Sequence, residues 1–197
     1  MTLQRIINIV LLASTLTVFG KSAVATEYEI DIPGMHAAIQ FRIYHLGYSV
    51  LTGRFNDFGG TFTWDKDNPQ DSSINVTIKT ASIDSNHAER DKHLREADFL
   101  NVEKYPEATF ESTKYNGDAT GGKLDGILTL HGVSKPITID VKFIGEGDDP
   151  WGGYRAGFEG HVKLRRADFG MTYNLGPKSE EMDLDLYIEG CRDTCQK

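Results

Sequence analysis

The residues best suited to chemistry lie between positions 90 and 98. Arg90, Asp91, His93 and Asp98 place a cation, two carboxylates and an imidazole in one short segment. Such a set could supply an acid, a base and a positive charge to a bound substrate. It could equally fasten the segment to its surroundings through charge-assisted hydrogen bonds. We favour the structural role, rank contact with a ligand headgroup second and catalysis third, and add His45 to the same polar set.

The six histidines do not form a metal-binding motif. His87 and His93 would lie on different faces of a helix, and the sequence contains neither an HExxH motif nor a Cys/His cluster. It also lacks a GxSxG motif, and the DFG sequence at Asp168 has no accompanying glycine-rich loop or HRD motif. We therefore predict no metal, no cofactor and no enzymatic activity.

A short helix is predicted to carry the polar set. Asn86 has a side chain suited to an N-cap, and Glu89 stands three residues later, which is the spacing of a capping box. The helix would then cover residues 87–95. Asp91 and Arg95 are four positions apart and are expected to pair on its surface.

The apolar residues of this region predict that the helix lies on a larger structure. Within the helix, Ala88 and Leu94 are the main apolar residues, which is too few for a core element. Phe99 and Leu100 follow as an apolar hook, and Pro106 holds the residue before it in an extended conformation that leads into the next strand. We interpret the segment as a lid on a β-structure.

Most of the remaining chain alternates apolar and polar residues with the period of two that is typical of strands. The pattern predicts about eight long strands and a short first one. Their connections are too short for parallel crossovers, so the sheet should be antiparallel. Eight such strands can close into a barrel that holds one small ligand. The expected fold is all-β, an eight-stranded antiparallel barrel with a short helical lid.

The inward face of these strands has two interpretations. It is either a packed core, which is the usual meaning of such a pattern, or the wall of a ligand tunnel. The residues alone support the packed core and the ligand tunnel about equally. Together with the lid and its hook, the candidate ligand-contacting residues are Phe41, Ile43, Phe62, Trp64, Ile78, Leu94, Phe99, Phe110, Leu128, Leu130, Val141, Phe143, Phe158, Val162, Leu184 and Leu186.

The N-terminal residues predict export. Arg5 precedes an apolar run over residues 6–19, and residues 23–25 form a small-residue cleavage pattern. We expect cleavage after Ala25, one mature domain over residues 26–197 and a periplasmic location. The run is short and interrupted by polar residues, so a retained membrane anchor is the less favoured alternative.

The charge and the cysteines narrow the range of partners. The formal net charge of −8 argues against nucleic acid or an anionic membrane as the main partner. Cys191 and Cys195 are the only cysteines, and an oxidising compartment would allow a disulfide between them. We favour a local bridge over pairing between chains or two free thiols. Their C-x-x-x-C spacing differs from the C-x-x-C of redox motifs.

Short motifs occur along the mature chain in this order: HxxIxFxxxH from His36, GxF from Gly53, RDxHL from Arg90, DFL from Asp98, YP from Tyr105, LTLHGV from Leu128 and RxDFG from Arg166. Together they closely resemble the YceI-like family, and the resemblance covers nearly all of the mature chain in the order of the family. The cysteine tail lies outside the shared pattern.

The resemblance implies an exported, lipocalin-like barrel that binds an isoprenoid or another long apolar chain, and it favours the tunnel over the filled core. Our leading hypothesis is a periplasmic carrier for a polyisoprenoid or an isoprenoid quinone, which does not span the membrane. One alternative is an enzyme that acts on an apolar substrate through Arg90, Asp91 and His93. Another is a stress or interaction protein with a filled barrel. A homodimer through a barrel edge or the cysteine tail is a further hypothesis.

Overall fold

The computed structural model describes residues 25–192 and Cys195. Apart from Ala25, the predicted export signal lies outside these residues. No helix among them has the length and apolar character needed to cross a membrane. Their strands are β1 (Thr26–Ile30), β2 (Ala38–His45), β3 (Ser49–Phe55), β4 (Phe58–Trp64), β5 (Ser73–Lys79), β6 (Ile83–Asp84), β7 (Glu107–Asp118), β8 (Gly121–Leu130), β9 (Val133–Asp148), β10 (Tyr154–Arg165) and β11 (Glu181–Arg192).

The strands fill eight positions of a closed antiparallel barrel. β1 and β2 share one position, because β1 pairs with the end of β11 and β2 pairs with its beginning. β3 and β4 share the second position, and β5 and β6 share the third. β7 to β11 follow in up-and-down order, and the pairing of β1 with β11 closes the ring. The predicted fold class is confirmed.

The sequence from Gly53 to Trp64 predicts one strand, and this prediction is wrong, because the chain bends at Asn56 and Asp57 and forms β3 and β4 instead. The backbone N–H of Asn56 donates to the carbonyl of Ser82 over 3.2 Å, and the carbonyl of Asp57 accepts from the N–H of Lys79 over 2.9 Å. These bonds join the bend to the break between β5 and β6, so neighbouring strands turn at the same level of the barrel.

Alternation sorts the side chains of the strands as predicted. On β9, Ile139 is buried whereas Lys142 is exposed on the outside. Small residues make room for large ones across the ladder. A Cβ added at Gly126 of β8 would collide with the ring of Phe110 on β7, so the glycine allows an aromatic side chain to lie inside the barrel.

The buried side chains form two clusters along the barrel. One contains Phe41, Leu100 and Phe169 and lies near the lid, at what we call the upper end. The other contains Tyr28 and Trp64 and lies at the opposite, lower end. The partly buried residues Phe55, Ile74, Ile78 and Leu186 pack against both clusters.

The lid contains α1 (Ala88–Arg95), the only α-helix of the described residues. The predicted N-cap is wrong by one residue. His87 is the cap, and its Nδ1 accepts the backbone N–H of Arg90 over 3.2 Å. Asn86 has a φ of 60°, a left-handed conformation that asparagine adopts more readily than most residues. It therefore forms the turn before the helix.

The surface pair predicted between Asp91 and Arg95 is also wrong. Asp91 is buried and accepts the backbone N–H of Ser85 over 2.9 Å. Arg95 donates to the carbonyls of Ala81 and Ile83, each over 2.7 Å. Both side chains fasten α1 to the segment before it through backbone groups of that segment.

Candidate ligand-binding cavities

Two adjoining cavities lie inside the barrel. The upper cavity, beneath the lid, has a volume of about 350 Å³. The lower cavity lies among the strands and has a volume of about 130 Å³. Ile39, Ile78, Leu128 and Leu184 line both of them. The barrel is therefore hollow, and its two cavities meet at a common apolar wall.

Aromatic rings surround the bottom of the lower cavity. The ring of Trp64 stacks on that of Phe143 with centroids 5.3 Å apart, and the ring of Phe158 meets Trp64 edge-on at 5.0 Å. The indole N–H of Trp64 donates to Glu146 over 2.9 Å, which satisfies its one polar group. These contacts give the lower cavity a rigid and apolar end.

The apolar hook closes part of the upper cavity. Phe99 is 7% exposed, and its ring centroid lies 5.0 Å from those of His93 and Tyr173. His93 in turn contacts Asp98, with Nε2 3.1 Å from a carboxylate oxygen. The hook thus joins the lid to the segment that follows β10.

The upper cavity has cationic side chains in its wall. Its charged or titratable lining residues, besides two tyrosines, are His45, Arg90, His93 and Arg166, and no carboxylate of a described residue lines it. Arg90 donates to the hydroxyl of Ser85 over 2.7 Å and to its carbonyl over 2.6 Å. The electrostatic character of this cavity is positive in a chain whose net charge is −8.

Arg166 is the most buried of these cationic groups, with 7% of its surface exposed. It begins the 3-10 helix Arg166–Phe169, directly after β10. Its Nε donates to the carbonyl of Ser179 over 2.8 Å, and its Nη2 donates to that of Tyr173 over 3.1 Å. Its Nη1 is buried and has no acceptor among the described residues. Burial lowers the pKa of the guanidinium from its usual value.

A second motif holds this 3-10 helix in place. Nδ1 of His131, in the turn between β8 and β9, lies 3.0 Å from the carbonyl oxygen of Phe169. Because a carbonyl only accepts, Nδ1 is the donor. The ring of His131 also packs on Tyr105, with centroids 4.6 Å apart. The LTLHGV, YP and RxDFG motifs, separate in the sequence, therefore meet at the upper end.

A network of charges lies near the lower cluster. Arg155 donates to Asp31, to Asp149 over 2.8 Å and to Glu189 over 2.7 Å. Burial alone would raise the pKa of the fully buried Asp31, but hydrogen bonds from Arg155, His36 and Gly34 outweigh this effect and hold the pKa below its usual value.

Asp31, His36 and Glu189 have ligand atoms within 4.8 Å of one another, a separation that a metal ion could bridge. The guanidinium of Arg155 already donates to both carboxylates. A cation from the protein itself thus balances these charges, and we interpret the group as a structural network.

Fifteen of the predicted ligand-contacting residues line the cavities. Those at the upper cavity are Phe41, Ile43, Leu94, Phe99 and Leu130. Those at the lower cavity are Phe62, Trp64, Phe110, Val141, Phe158, Val162 and Leu186. Ile78, Leu128 and Leu184 line both. Phe143 lies outside both linings and packs behind Trp64.

The structure divides the predicted polar set. His45, Arg90 and His93 line the upper cavity, whereas Asp91 and Asp98 do not. Asp91 is buried against Ser85, and His93 contacts Asp98 at the surface. Arg90 and Asp91 both bond to the hydroxyl of Ser85, whereas His93 bonds to Asp98, so the three groups do not converge on one point.

Sequence reasoning missed Arg166 as a residue of the cavity. The signal was present, because Val162 and Leu164 face inward on β10 and Arg166 continues their alternation past the end of the strand. The lining residues Tyr173 and Leu175 follow in a segment without regular structure. No periodicity marks them.

Cys191 and Cys195 form a disulfide, with their Cα atoms 5.3 Å apart. Cys191 lies on the last strand and is 1% exposed. The bridge fastens Cys195 to the last strand, at the lower end of the barrel.

Comparison with known protein sequences adds independent information. The YceI-like domain matches residues 28–190. A UPF0312 protein of Pseudomonas aeruginosa is 55% identical over 190 residues, which cover 96% of this chain and 99% of that protein. Protein YceI of Escherichia coli O157:H7 is 57% identical over 169 residues, which cover 86% and 88% of the two chains.

Solved structures share the architecture. A Campylobacter jejuni YCEI protein matches with a TM-score of 0.70 and 32% identity, over 77% of this chain and 91% of that one. BcnA of Burkholderia cenocepacia matches with a TM-score of 0.71 and 18% identity, over 81% and 98%. A polyisoprenoid binding domain from Saccharophagus degradans matches with a TM-score of 0.62 and 16% identity, over 86% and 99%. At such low identity the last two support the fold alone.

Proposed function

The chain belongs to the YceI-like family, and from this premise we propose that it is a periplasmic carrier that holds a long apolar lipid inside its barrel. The lipid class is a polyisoprenoid or an isoprenoid quinone. The observation that carries the proposal is the pair of adjoining cavities, whose walls are mostly aliphatic and aromatic. A polyisoprenoid binding domain shares this fold, and we extend its ligand class to this chain as part of the proposal.

The size and lining of the cavities suit such a ligand. The upper cavity alone, at about 350 Å³, falls in the range of about 300–1,000 Å³ that is usual for ligand pockets. Each methylene transferred from water to an apolar wall contributes about 0.8 kcal/mol. A chain that extends from the upper into the lower cavity would gain this contribution along its whole buried length.

The export pattern over residues 1–25 and the disulfide Cys191–Cys195 support the periplasmic location. Cell fractionation tests it directly. We expect a protein that begins at residue 26 in the periplasmic fraction. The full-length chain in the cytoplasm would contradict this part of the proposal.

The cavities also weigh against the two alternatives. A filled barrel does not account for a hollow interior of this size. An enzyme acting through Arg90, Asp91 and His93 would need all three groups to converge, but Arg90 and Asp91 meet at Ser85 whereas His93 bonds to Asp98. We propose no reaction. Turnover of an apolar substrate that is lost in His93→Ala while binding is retained would favour the enzyme instead.

Ligand uptake is the experiment that tests the proposal. Delipidated protein is offered a polyprenol, an isoprenoid quinone or a fatty amide, and the fluorescence of Trp64 reports binding because its side chain lines the lower cavity. A Trp64→Phe variant identifies the part of the signal that comes from Trp151. We expect saturable binding of at least one prenyl lipid. Failure of all three ligands to bind would contradict the carrier role.

A further inference from the structure

We propose that Arg166 forms a headgroup site in the upper cavity for an anionic oxygen group, either a phosphate or a carboxylate, at the end of the bound lipid. This inference rests on the proposed function, because it takes the lipid to be present and assigns its orientation and charge. The headgroup would lie in the upper cavity and the apolar chain would continue into the lower one.

The hydrogen bonds of Arg166 leave one side of its guanidinium unused. Two backbone carbonyls, those of Ser179 and Tyr173, occupy Nε and Nη2 at 2.8 and 3.1 Å. Nη1 carries two further N–H groups and has no acceptor among the described residues, although the residue is only 7% exposed. A buried donor without an acceptor costs free energy, which a ligand oxygen at this position would recover.

The charge of Arg166 favours an anion over a neutral acceptor. Its hydrogen-bond partners are carbonyls, which solvate the guanidinium but do not neutralise it. Glu180 is the acidic residue that acts on it electrostatically, and its carboxylate lies in the solvent-exposed pair with Arg165, at 3.5 Å. An uncompensated buried charge is unfavourable, and guanidinium binds phosphate and carboxylate oxygens especially well.

The second arginine of the cavity reinforces this choice. Arg90 donates to the hydroxyl and the carbonyl of Ser85, and this hydroxyl donates in turn to the buried carboxylate of Asp91, which lies outside the cavity wall. Among the described residues, neither Arg90 nor Arg166 forms a direct ion pair, and no carboxylate lines the cavity. Positive potential concentrated in a cavity of an acidic protein selects ligands of negative charge.

The lower cavity offers a contrasting polar group. The hydroxyl of Ser72 lines it, is buried and has no partner among the described residues. A single hydroxyl carries no charge, and the surrounding wall is apolar, so this end suits the hydrocarbon chain or a neutral terminus. The two ends thus predict opposite headgroup preferences, which an experiment can separate.

The experiment compares a polyprenol with the polyprenyl monophosphate of the same length, and a fatty alcohol with the matching fatty acid. Affinities are measured for the parent protein, for Arg166→Gln and for Arg165→Gln. We expect the parent to bind each anionic ligand about tenfold or more tightly than its neutral counterpart. Arg166→Gln should lose that preference. Arg165→Gln should retain it, because Arg165 is exposed.

Several results would overturn the inference. Equal affinity of the parent for both members of each ligand pair would refute the headgroup site and leave the carrier role intact. If the parent takes up none of these ligands, both the headgroup site and the carrier role are refuted. A preference that survives in Arg166→Gln would place the anion elsewhere. Inorganic phosphate at millimolar concentration should not compete with the anionic lipids, since it lacks the apolar chain. Competition that depends on Arg166 would indicate a site for a free anion instead. If Arg166→Gln does not fold, Arg166→Lys, which keeps the charge but loses the fork, should show a reduced preference.

Discussion

The upper and lower halves of the barrel are built in different ways. In the lower half the cavity wall consists almost entirely of strand residues, and the rings of Trp64, Phe143 and Phe158 pack within 5.4 Å of one another. In the upper half, α1 and the segment after β10 complete the wall and supply Arg90, His93 and Arg166. The strands thus form the apolar lower cavity, and α1 and the segment after β10 add charged side chains to the upper one.

This difference assigns separate tasks to the two halves. The lower half should set how much apolar chain is bound, because its contribution scales with buried area. The upper half should set which headgroup is accepted and how quickly the lipid leaves. Substitutions in each half separate these two tasks, and they follow in order of decreasing effect on bound lipid.

Val141→Asp should have the largest effect. Val141 lines the lower cavity, and a carboxylate there is removed from water and finds no cation among the described lining residues. We expect the purified variant to contain no lipid while the barrel survives with a lower melting temperature, because solvent can enter a hollow interior. Mass spectrometry of an organic extract and a melting curve measure the two effects.

Ile144→Asp is the matched control. Ile144 is on the same strand and 60% exposed, so the same type of change should leave both lipid content and melting temperature nearly unaltered. Lys142→Glu, also exposed on this strand, should behave in the same way. Complete unfolding of Val141→Asp would support a solid core, and full retention of lipid would show that the lower cavity does not hold the chain.

Phe99→Asp should have the next largest effect. The change places a carboxylate at a residue that is 7% exposed and breaks the ring contacts with His93 and Tyr173. Loss of a buried phenylalanine side chain costs about 3–5 kcal/mol. We expect a lower melting temperature and faster loss of lipid, measured by transfer to acceptor vesicles, because the lid no longer closes the upper cavity.

Tyr48→Asp is the control for the lid. Tyr48 is 89% exposed in the turn between β2 and β3, at the same end of the barrel. It should change neither the melting temperature nor the rate of transfer. An unchanged melting temperature and transfer rate in Phe99→Asp would refute the role of the hook as a lid.

The apolar interior of the barrel could be predicted from the sequence, whereas the contacts of the charged upper end could not. Alternation placed Ile43, Trp64, Leu128, Val141 and Leu186 toward the interior, and each lines a cavity. Strand period is a local property, so a single sequence reveals it. Whether the interior is hollow depends on how all eight positions fit together, and the alternation alone left that undecided.

The contacts at the upper end could not be predicted, because they join residues distant in sequence or depend on unusual backbone geometry. Arg166 bonds to carbonyls of Tyr173 and Ser179, and His131 reaches Phe169 from another turn. His87 replaced Asn86 as the helix cap. Propensity identified the lid and its hook, whereas the partners of its charged side chains followed from tertiary packing.

Asp31→Asn should reduce stability without reducing lipid content. Asp31 is fully buried and bonds to Arg155, and breaking a buried charge pair costs on the order of 3 kcal/mol. Because the pKa of Asp31 is lowered in the folded protein, its contribution to stability depends on pH. The stability that it contributes is present above the unfolded pKa of about 4 and is lost as the pH falls through the folded value.

Denaturant unfolding between pH 7 and pH 2 measures this contribution. The parent should lose stability below about pH 4 more steeply than Asp31→Asn does, because the variant lacks the group that titrates. Asp67→Asn, which changes an exposed carboxylate, should follow the parent. Identical acid profiles for the parent and Asp31→Asn would contradict a structural role for this network.

The disulfide should have the smallest effect. The loop that it closes is short, so its contribution to stability should be at most about 2 kcal/mol. Cys191 and Cys195 of freshly isolated periplasmic protein should resist a thiol reagent until they are reduced, and reduction should leave bound lipid in place. Labelling of either cysteine without prior reduction would contradict the disulfide. Loss of lipid on reduction would show that the disulfide affects the cavities.

Native mass spectrometry of the protein freshly isolated from its own periplasm tests the central claim most directly. The account predicts a species heavier than the chain by the mass of one lipid, close to stoichiometric, whose extract contains a long apolar chain. Matched Val141→Asp protein should show the mass of the chain alone. A parent protein that is isolated without lipid, and that takes up none when prenols, quinones, fatty amides and their anionic counterparts are offered, would contradict the account whatever the variants do.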